Sequence, residues 1–212
     1  MTRWILASAS PRRQELLRNL GHEFEVIVSH GEENAKLPEG FKIEDEPAFF
    51  AKAKAREVAS LVKTQQTGDA ASENILVIGA DTLVMLDGKA LGKPQDQDDA
   101  RYMLRLLSGR THEVVTGCCL ILNGKEHTFE EHTKVTFYDL TEEEISSYIN
   151  SGEPMDKAGA YGIQGLGCLL VRGIEGDFFN VVGLPVARLY REIQAFEAGI
   201  PAGEEDLNED KE

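Results

Sequence analysis

Several features that would assign a function directly are missing from this sequence of 212 residues. It has no apolar run near the roughly 18 residues that span a bilayer, and its N-terminal apolar stretch is too short for a secretory signal. Its three cysteines and five histidines form no metal-binding spacing. A Walker A sequence, a dinucleotide-binding fingerprint and a nucleophile elbow are also absent. These absences predict a cytoplasmic protein without a membrane partner, and they argue against a serine hydrolase.

Positive charge is scarce. The chain has 22 lysines and arginines against 37 aspartates and glutamates, a net charge of −15. This balance argues against a nucleic-acid partner, because such proteins are normally basic. Part of the excess lies in residues 199–212, which we expect to form a solvated acidic tail after a single domain at 1–198. Any cluster of cations elsewhere is therefore a candidate site for an anionic ligand.

The order of apolar and polar residues predicts an α/β fold with a mixed sheet. Asp-Gly at 87–88 and Asn-Gly at 123–124 are typical of hairpin turns. Thr141 with Glu144 forms a capping box at the start of a helix. The segment GDFFNVVG at 176–183 is predicted as a short strand. Strands and helices are mixed along the chain, with hairpins and no internal repeat.

Two arginines stand at the wrong end of the first predicted helix. Ser10 suits the N-cap and Pro11 the first helical position. Arg12 and Arg13 then fall in the first turn, where the helix dipole is positive and each cation costs about 0.3–1 kcal/mol. An anion bound at this terminus would reverse the sign of that interaction.

Asp81 interrupts a long apolar strand, where an unpaired carboxylate is costly. It is either held by nearby backbone amides or acts as a metal ligand or general base. Lys54 falls inside the apolar arc of its helix, so it either extends to solvent from the core edge or points into a cleft. Lys93 follows the hairpin that contains Asp81, and it is either solvent-exposed or directed at the same site.

The segment GEPMDKAGAYGIQG at 152–165 is rich in glycine, and such a loop is more often a turn than a phosphate cradle. Gln164 nevertheless offers both a donor and an acceptor, as recognition of a base edge requires. A polyphosphate with a divalent metal would satisfy the clustered cations and the embedded carboxylate together.

Four segments also carry a family resemblance. They are LASASPRRQELL, IGADTLVMLDGKALGKP, MLRLLSGRTHEVVTG and SGEPMDKAGAYGIQGLG. In this order and spacing the chain resembles the Maf family of nucleoside triphosphate pyrophosphatases. The resemblance implies an elongated, curved mixed sheet flanked by helices, with two lobes and a central cleft, similar to the inosine-triphosphatase-like superfamily. It also implies cleavage of a nucleoside triphosphate to the monophosphate and pyrophosphate.

The same resemblance implies roles for individual residues. Asp81 matches the proton acceptor and is also a candidate metal ligand. Of the acidic pair Glu32 and Glu33, we take Glu33 as the second candidate ligand. The residues implied to bind phosphate are Ser8, Arg12, Arg13, Lys54 and Lys93, and those implied to select the base are Arg12, Thr82 and Gln164.

The form of the Gln164 segment resembles the branch that prefers dTTP and UTP, whose bases present an imide edge that an amide can read. Mg²⁺ is the expected cofactor, with Mn²⁺ or Co²⁺ as alternatives, and a homodimer is expected. Three alternatives remain open at this point: a 7-methyl-GTP pyrophosphatase, a nucleotide-binding regulator of cell division without hydrolysis, and an interaction module that uses the acidic tail.

Overall fold

The computed structural model describes residues 2–38, 40–65 and 74–200, so most of the expected tail, 201–212, lies outside the described residues. The first half of the chain forms β1 (Arg3–Leu6), α1 (Pro11–Arg18), β2 (Phe24–Val26), α2 (Gly31–Asn34), α3 (Glu46–Gln65), β3 (Ile75–Leu86), β4 (Lys89–Leu91) and α4 (Gln97–Leu107). The second half forms β5 (Thr111–Leu122), β6 (Lys125–Phe137), α5 (Glu142–Asn150), β7 (Val171–Glu175), α6 (Phe178–Val182) and α7 (Val186–Ala198).

The strands form one mixed sheet in the order β2-β1-β3-β5-β6-β7, with β4 also paired to β3. β1 is parallel to both β2 and β3. All the other pairs are antiparallel. The predicted α/β class with a mixed sheet flanked by helices is therefore confirmed.

One edge of β3 is left open in its middle. The edge pairs with β1 as far as Ile78 and with β4 from Val84 onward. Between these points no strand in the described ranges covers residues 79–83, while β5 pairs along the opposite edge. The open edge contains Asp81 and Thr82, and the alternation of a strand sends their side chains to opposite faces of the sheet.

The apolar core is divided at the same place. Before the open edge, β3 packs with α1 and α7 on one face and with α3 on the other. After it, β3 packs mainly with α4 and α5. Packing on both sides of a polar interruption gives the two-lobed arrangement that the family resemblance implies.

Most local signals lead to the predicted elements. The Ser10 side chain caps α1 by accepting a hydrogen bond from the Arg13 backbone N–H at 3.4 Å. The capping box of Thr141 and Glu144 is present, and both predicted hairpin turns form.

One predicted strand is wrong. Segment 176–183 forms α6, whose N-cap Asp177 accepts a hydrogen bond from the Phe179 backbone N–H at 2.8 Å. The side chain of Asn180 is fully buried against the sheet. The cap and this anchor outweigh the strand propensity of the phenylalanines and valines.

Helix α3 lies unusually close to the sheet because two strand residues lack side chains. A Cβ added at Gly79 would lie 2.2 Å from the Ala51 carbonyl oxygen. One added at Gly117, on the neighbouring β5, would lie 2.2 Å from the Ala48 backbone nitrogen. Both contacts are with helix backbone, so neither can be relieved by a rotamer change. The two glycines therefore determine how close α3 and its side chains lie to the sheet.

We expect Gly79→Ala to lower the free energy of unfolding by about 1–3 kcal/mol, because the methyl group must push α3 outward. Gly173→Ala in β7 is the matched control, since a Cβ there meets nothing within 4 Å. Denaturant unfolding of both variants measures the difference. Equal stability of the two variants would contradict the close approach.

A buried histidine supports the lobe beyond the open edge. His112 on β5 is 3% exposed, and its Nε2 lies 2.7 Å from the Tyr161 hydroxyl. The imidazole also makes an edge contact with Phe137. Burial lowers the pKa of His112 to about 4.

This lowered pKa predicts that stability falls in acid. Below pH about 6.5 an unfolded histidine binds a proton that the folded His112 takes up only near pH 4. The contribution of the neutral, buried His112 to the free energy of unfolding is fully present above pH about 6.5. Roughly 2–3 kcal/mol of this contribution is lost by pH about 4.5. Urea unfolding of the native protein and of His112→Gln should show a stability difference that shrinks as the pH falls. A difference that is the same at every pH would exclude this origin.

Candidate active site

A cavity of about 800 Å³ opens at the uncovered edge of β3. Eight of the predicted site residues line it: Ser8, Arg12, Arg13, Lys54, Asp81, Thr82, Lys93 and Gln164. They come from the β1–α1 connection, α1, α3, β3, the segment after β4 and the glycine-rich segment. Residues spread over most of the chain therefore meet at one place.

Lys54 lies between two carboxylates. Its Nζ is 2.6 Å from Asp81 Oδ1 and 2.6 Å from Glu32 Oε2. The Lys54 side chain is 11% exposed and that of Asp81 17%. Of the alternatives left open by the sequence, Lys54 therefore points into the cleft. The partner that Asp81 contacts is this ammonium group.

The electrostatics of Asp81 reflect two opposing effects. Burial raises the pKa of its carboxyl group, and the positive charges of Lys54 and Arg13 act in the opposite direction. Glu46, in the first turn of α3, also lines the cavity. Burial raises the pKa of Glu46 too, with further contributions from Asp81 and Glu32. Two carboxylates, Asp81 and Glu32, thus contact the Lys54 ammonium group, and Glu46 adds a third carboxyl group to the lining of the cavity.

Arg13 is tied into the protein on several sides. Its guanidinium donates hydrogen bonds to the carbonyl oxygens of Gly183 and Ala80, each at 2.8 Å, and to the hydroxyl of Thr82 at 2.9 Å. A longer contact of 3.4 Å reaches the hydroxyl of Ser8. The carbonyl dipoles offset the charge that Arg13 brings to the positive end of α1.

Arg12 turns outward to the glycine-rich segment. Its guanidinium lies 3.1 Å from Asp156, which also accepts a hydrogen bond from Lys157 at 2.6 Å. Burial acts to raise the pKa of Asp156, but the hydrogen bonds and charges of Lys157 and Arg12 outweigh it, so the pKa is lowered. This ion pair joins α1 to the segment that carries Gln164.

Two predicted residues have free polar groups. Within the described residues, neither the ammonium group of Lys93 nor the side-chain amide of Gln164 has a protein partner. Both residues are exposed at the cavity. Their donors and acceptors are available to a ligand.

The cavity has two chemically different halves. On the Asp81 face of β3 the lining includes Glu32, Glu46 and Lys54. On the Thr82 face the lining includes Val84, Val114, Tyr161, Ile163 and Val182, and the glycine-rich segment adds Gln164 together with the charged Glu153, Asp156 and Lys157. The end of α1 with Arg12 also lines the cavity. An elongated ligand with one charged end and one flat, less polar end would match this division.

The structure describes the side-chain position of only one residue of the acidic pair Glu32 and Glu33. Glu32 is placed at the cavity, whereas the side chain of Glu33, our candidate metal ligand, lies outside the described residues. Sequence reasoning missed Glu46, because it belongs to an acidic stretch that resembles an ordinary surface loop. The one sequence signal that could have identified Glu46 is its position directly before Pro47, at the start of α3.

The described carboxylates suit a hard divalent cation. Asp81 and Glu32 already share one cationic group, the Lys54 ammonium. Mg²⁺ is usually bound by one or two carboxylates together with phosphate oxygens and water. Across the described ranges no group of three or more His, Cys, Asp or Glu side chains could hold a metal alone. The donor set therefore fits an ion that takes further ligands from a phosphorylated substrate.

None of the helices in the described ranges combines the length and the apolar composition of a transmembrane span. The fold and the site together define an α/β protein with one mixed-charge ligand cavity at an open strand edge. The family model described as "Maf-like protein" matches residues 3–196, and the chain belongs to this family.

Its relatives cover nearly the whole chain. The "dTTP/UTP pyrophosphatase" of Agathobacter rectalis is 50% identical over 206 residues, which is 92% of this chain and 97% of the relative. That of Bacillus cytotoxicus is 49% identical over 199 residues, or 94% and 98%. A solved HAM1 protein from Coxiella burnetii gives a TM-score of 0.37 at 17% identity over 65% of this chain and 73% of that chain.

Proposed function

We propose that this protein is a nucleoside triphosphate pyrophosphatase that hydrolyses dTTP and UTP to the monophosphate and pyrophosphate. The observation that carries the proposal is the Lys54–Asp81 pair, which lies in the same cavity as the arginine-bearing end of α1. A protein that only binds nucleotide has no need for a buried carboxylate beside its phosphate-binding cations. Relatives at about half identity bear the name of this activity.

The triphosphate binds between α1 and α3. Arg12, Lys54 and Lys93 supply charge, and Ser8 supplies a hydroxyl group. In the first turn of α1 the Arg12 backbone N–H adds a donor, since Pro11 has no N–H and that of Arg13 is bound to Ser10. Arg13 contributes its charge and its one remaining N–H, since four of its five donors are already used. Arg12 exchanges its ion pair with Asp156 for the substrate.

Asp81, with Glu32 or Glu33 nearby, would hold a divalent metal, which would neutralise charge and lower the pKa of a reacting water. Asp81 accepts the proton of the attacking water or holds the ion, and the positive charge of Lys54 acts to lower the pKa of its carboxyl group against the effect of burial. The cations of α1 and α3 stabilise the charge that develops as water attacks the α-phosphorus. Mg²⁺, the cytoplasmic location and the homodimer remain predictions.

The base occupies the Thr82 half of the cavity. The apolar walls suit a ring face, and the free amide of Gln164 can match the carbonyl and N–H groups of uracil or thymine. Arg12 and Thr82 flank this half from α1 and β3. The base-selecting roles expected from the sequence are assigned to these three residues.

Asp81→Asn should lower the rate of pyrophosphate release from UTP by about 100-fold or more, because it removes the proton acceptor or the metal ligand. Asp98→Asn, an exposed position in the first turn of α4, is the matched control. Release is measured with Mg²⁺, and circular dichroism checks that both variants fold. Nearly native turnover by folded Asp81→Asn would refute the role of Asp81.

A panel of common and modified nucleotides tests the substrate. We expect kcat/KM for dTTP, UTP and related modified pyrimidine nucleotides to exceed the value for purine nucleotides, 7-methyl-GTP included, by at least about tenfold. A higher value for 7-methyl-GTP would instead favour the purine alternative. If no nucleotide releases pyrophosphate, the enzymatic proposal fails.

A further inference from the structure

A second acidic side chain of α3 binds the segment that leads into α2. Glu57 follows Lys54 by three residues, so both side chains lie on the same side of the helix. The Oε2 atom of Glu57 accepts a hydrogen bond from the Ser29 hydroxyl group at 2.5 Å and another from the His30 backbone N–H at 2.7 Å. Segment 29–31 is therefore tied to α3 about one turn beyond Lys54.

The hydroxyl group of Ser29 extends this contact to the next residue. Its single proton is donated to the Glu57 carboxylate, which can only accept, so its lone pairs remain for another donor. The Gly31 backbone N–H donates to Ser29 Oγ at 2.9 Å. Hydrogen bonds to an ionised carboxylate are stronger than neutral ones, and the Ser29 bond lowers the pKa of Glu57. One carboxylate thus orders three successive residues, two directly and one through a hydroxyl group.

Gly31 brings the same segment against the backbone of α3. A Cβ added at Gly31 would lie 2.7 Å from the Ala53 carbonyl oxygen. The next residue along the chain is Glu32, whose Oε2 lies 2.6 Å from Lys54 Nζ. Since Lys54 also contacts Asp81 at 2.6 Å, the position of this segment decides whether Glu32 stands beside Asp81.

Local structure alone cannot hold this part of the chain. The pairing of β2 with β1 ends at Val26, and α2 has only four residues. A helix of one turn is not stable by itself, because fixing the first turn costs more than its few hydrogen bonds return. Since α2 packs on α3, contacts with α3 must supply the order that α2 lacks.

Order at α2 matters because two like charges must be held together. To bind one divalent cation, Asp81 and Glu32 must both approach it, and their mutual repulsion opposes that arrangement. Glu32 is half exposed and lies on the short α2, so it is the carboxylate that moves away if its segment is free. Holding it in advance avoids the cost of ordering it when the ion binds. Residues that orient metal-binding carboxylates typically change metal affinity by about 10- to 100-fold.

We infer that Glu57 is a positioning residue for the divalent-metal site: by tying segment 29–31 to α3, it holds the Glu32 carboxylate beside Asp81. Glu57 itself does not line the cavity, so it acts through this segment. Glu33 also belongs to α2, and the same anchor serves it if it is the residue that contacts the ion. The inference rests on the proposed function, in which hydrolysis depends on the metal.

Glu57→Ala tests this role without weakening α3, because alanine is the strongest helix former. The probe is α,β-methylene-UTP, a UTP analogue that this reaction cannot cleave, and calorimetry measures its affinity in excess Mn²⁺ and in EDTA. We expect Glu57→Ala to lower the affinity in Mn²⁺ by about tenfold or more and to leave the affinity in EDTA within about twofold of the native value. In turnover, the Mg²⁺ concentration for half-maximal activity should rise while kcat at saturating Mg²⁺ stays close to native.

A conservative variant should restore the affinity. Both hydrogen bonds of Glu57 end on one oxygen atom, so the amide oxygen of Glu57→Gln can accept them both. We expect its affinity in Mn²⁺ to stay within about threefold of native, the loss reflecting the missing charge.

Glu142→Ala is the matched control. Glu142 likewise ties two helices together, since it joins α5 to α4 through Arg101 and Arg105, and it lies outside the cavity lining. The ratio of its affinities in Mn²⁺ and in EDTA should equal that of the native protein.

A purely structural role of Glu57 would lower the affinity equally in Mn²⁺ and in EDTA, and that result would overturn the inference. A native ratio of the two affinities in folded Glu57→Ala would do the same. Ser29→Ala removes the hydroxyl group between Glu57 and Gly31 without altering α3, and it should lower the ratio in the same direction. If the native protein hydrolyses UTP, either contrary result refutes the inference alone. If it releases pyrophosphate from no nucleotide, the proposed function fails with it.

Discussion

The close approach of α3 to the sheet is the constraint on which the site depends. Gly79 and Gly117 let the helix backbone reach a depth that no side chain would allow. At that depth Lys54 meets Asp81 at 2.6 Å inside a partly dry cavity. A lysine one ångström further out would be solvated and would compensate Asp81 poorly, because the interaction weakens as the local dielectric constant rises.

The sequence alone identifies the residues that break a local rule. Asp81 stands out in an apolar strand, Lys54 on an apolar helix face and the two arginines at a positive helix end, and all four line the cavity. Their partners cannot be found in this way. Glu32 and Glu46 lie in an acidic stretch where one more carboxylate breaks no rule, and only the tertiary fold selects which of them meet Lys54. The strand predicted at 176–183 fails for a similar reason, since its buried Asn180 depends on contacts with distant strands.

Arg12 and Arg13 show how neighbouring, identical residues acquire different tasks. Successive positions on a helix are about 100° apart, so one arginine faces β3 and the other the glycine-rich segment. Arg13 is held by carbonyl oxygens and by Thr82, whereas Arg12 holds one exchangeable ion pair with Asp156. Moving Arg13 is therefore costly, whereas moving Arg12 is not. Sequence pattern assigns the pair to an anion but cannot divide the work between them.

The open edge of β3 gives one strand two kinds of chemistry. Since consecutive side chains alternate, Asp81 faces the lysine and the carboxylates while Thr82 faces the apolar half with Gln164. In a fully paired sheet these faces would be separated by neighbouring strands. Here no strand of the described ranges pairs with residues 79–83 along the edge of β3 that faces β1 and β4, and one ligand can reach both faces around that edge. A nucleotide, with an anionic chain at one end and a flat hydrogen-bonding ring at the other, has the length and polarity that such an arrangement demands, so the gap in strand pairing is what makes a single site from two faces of the sheet.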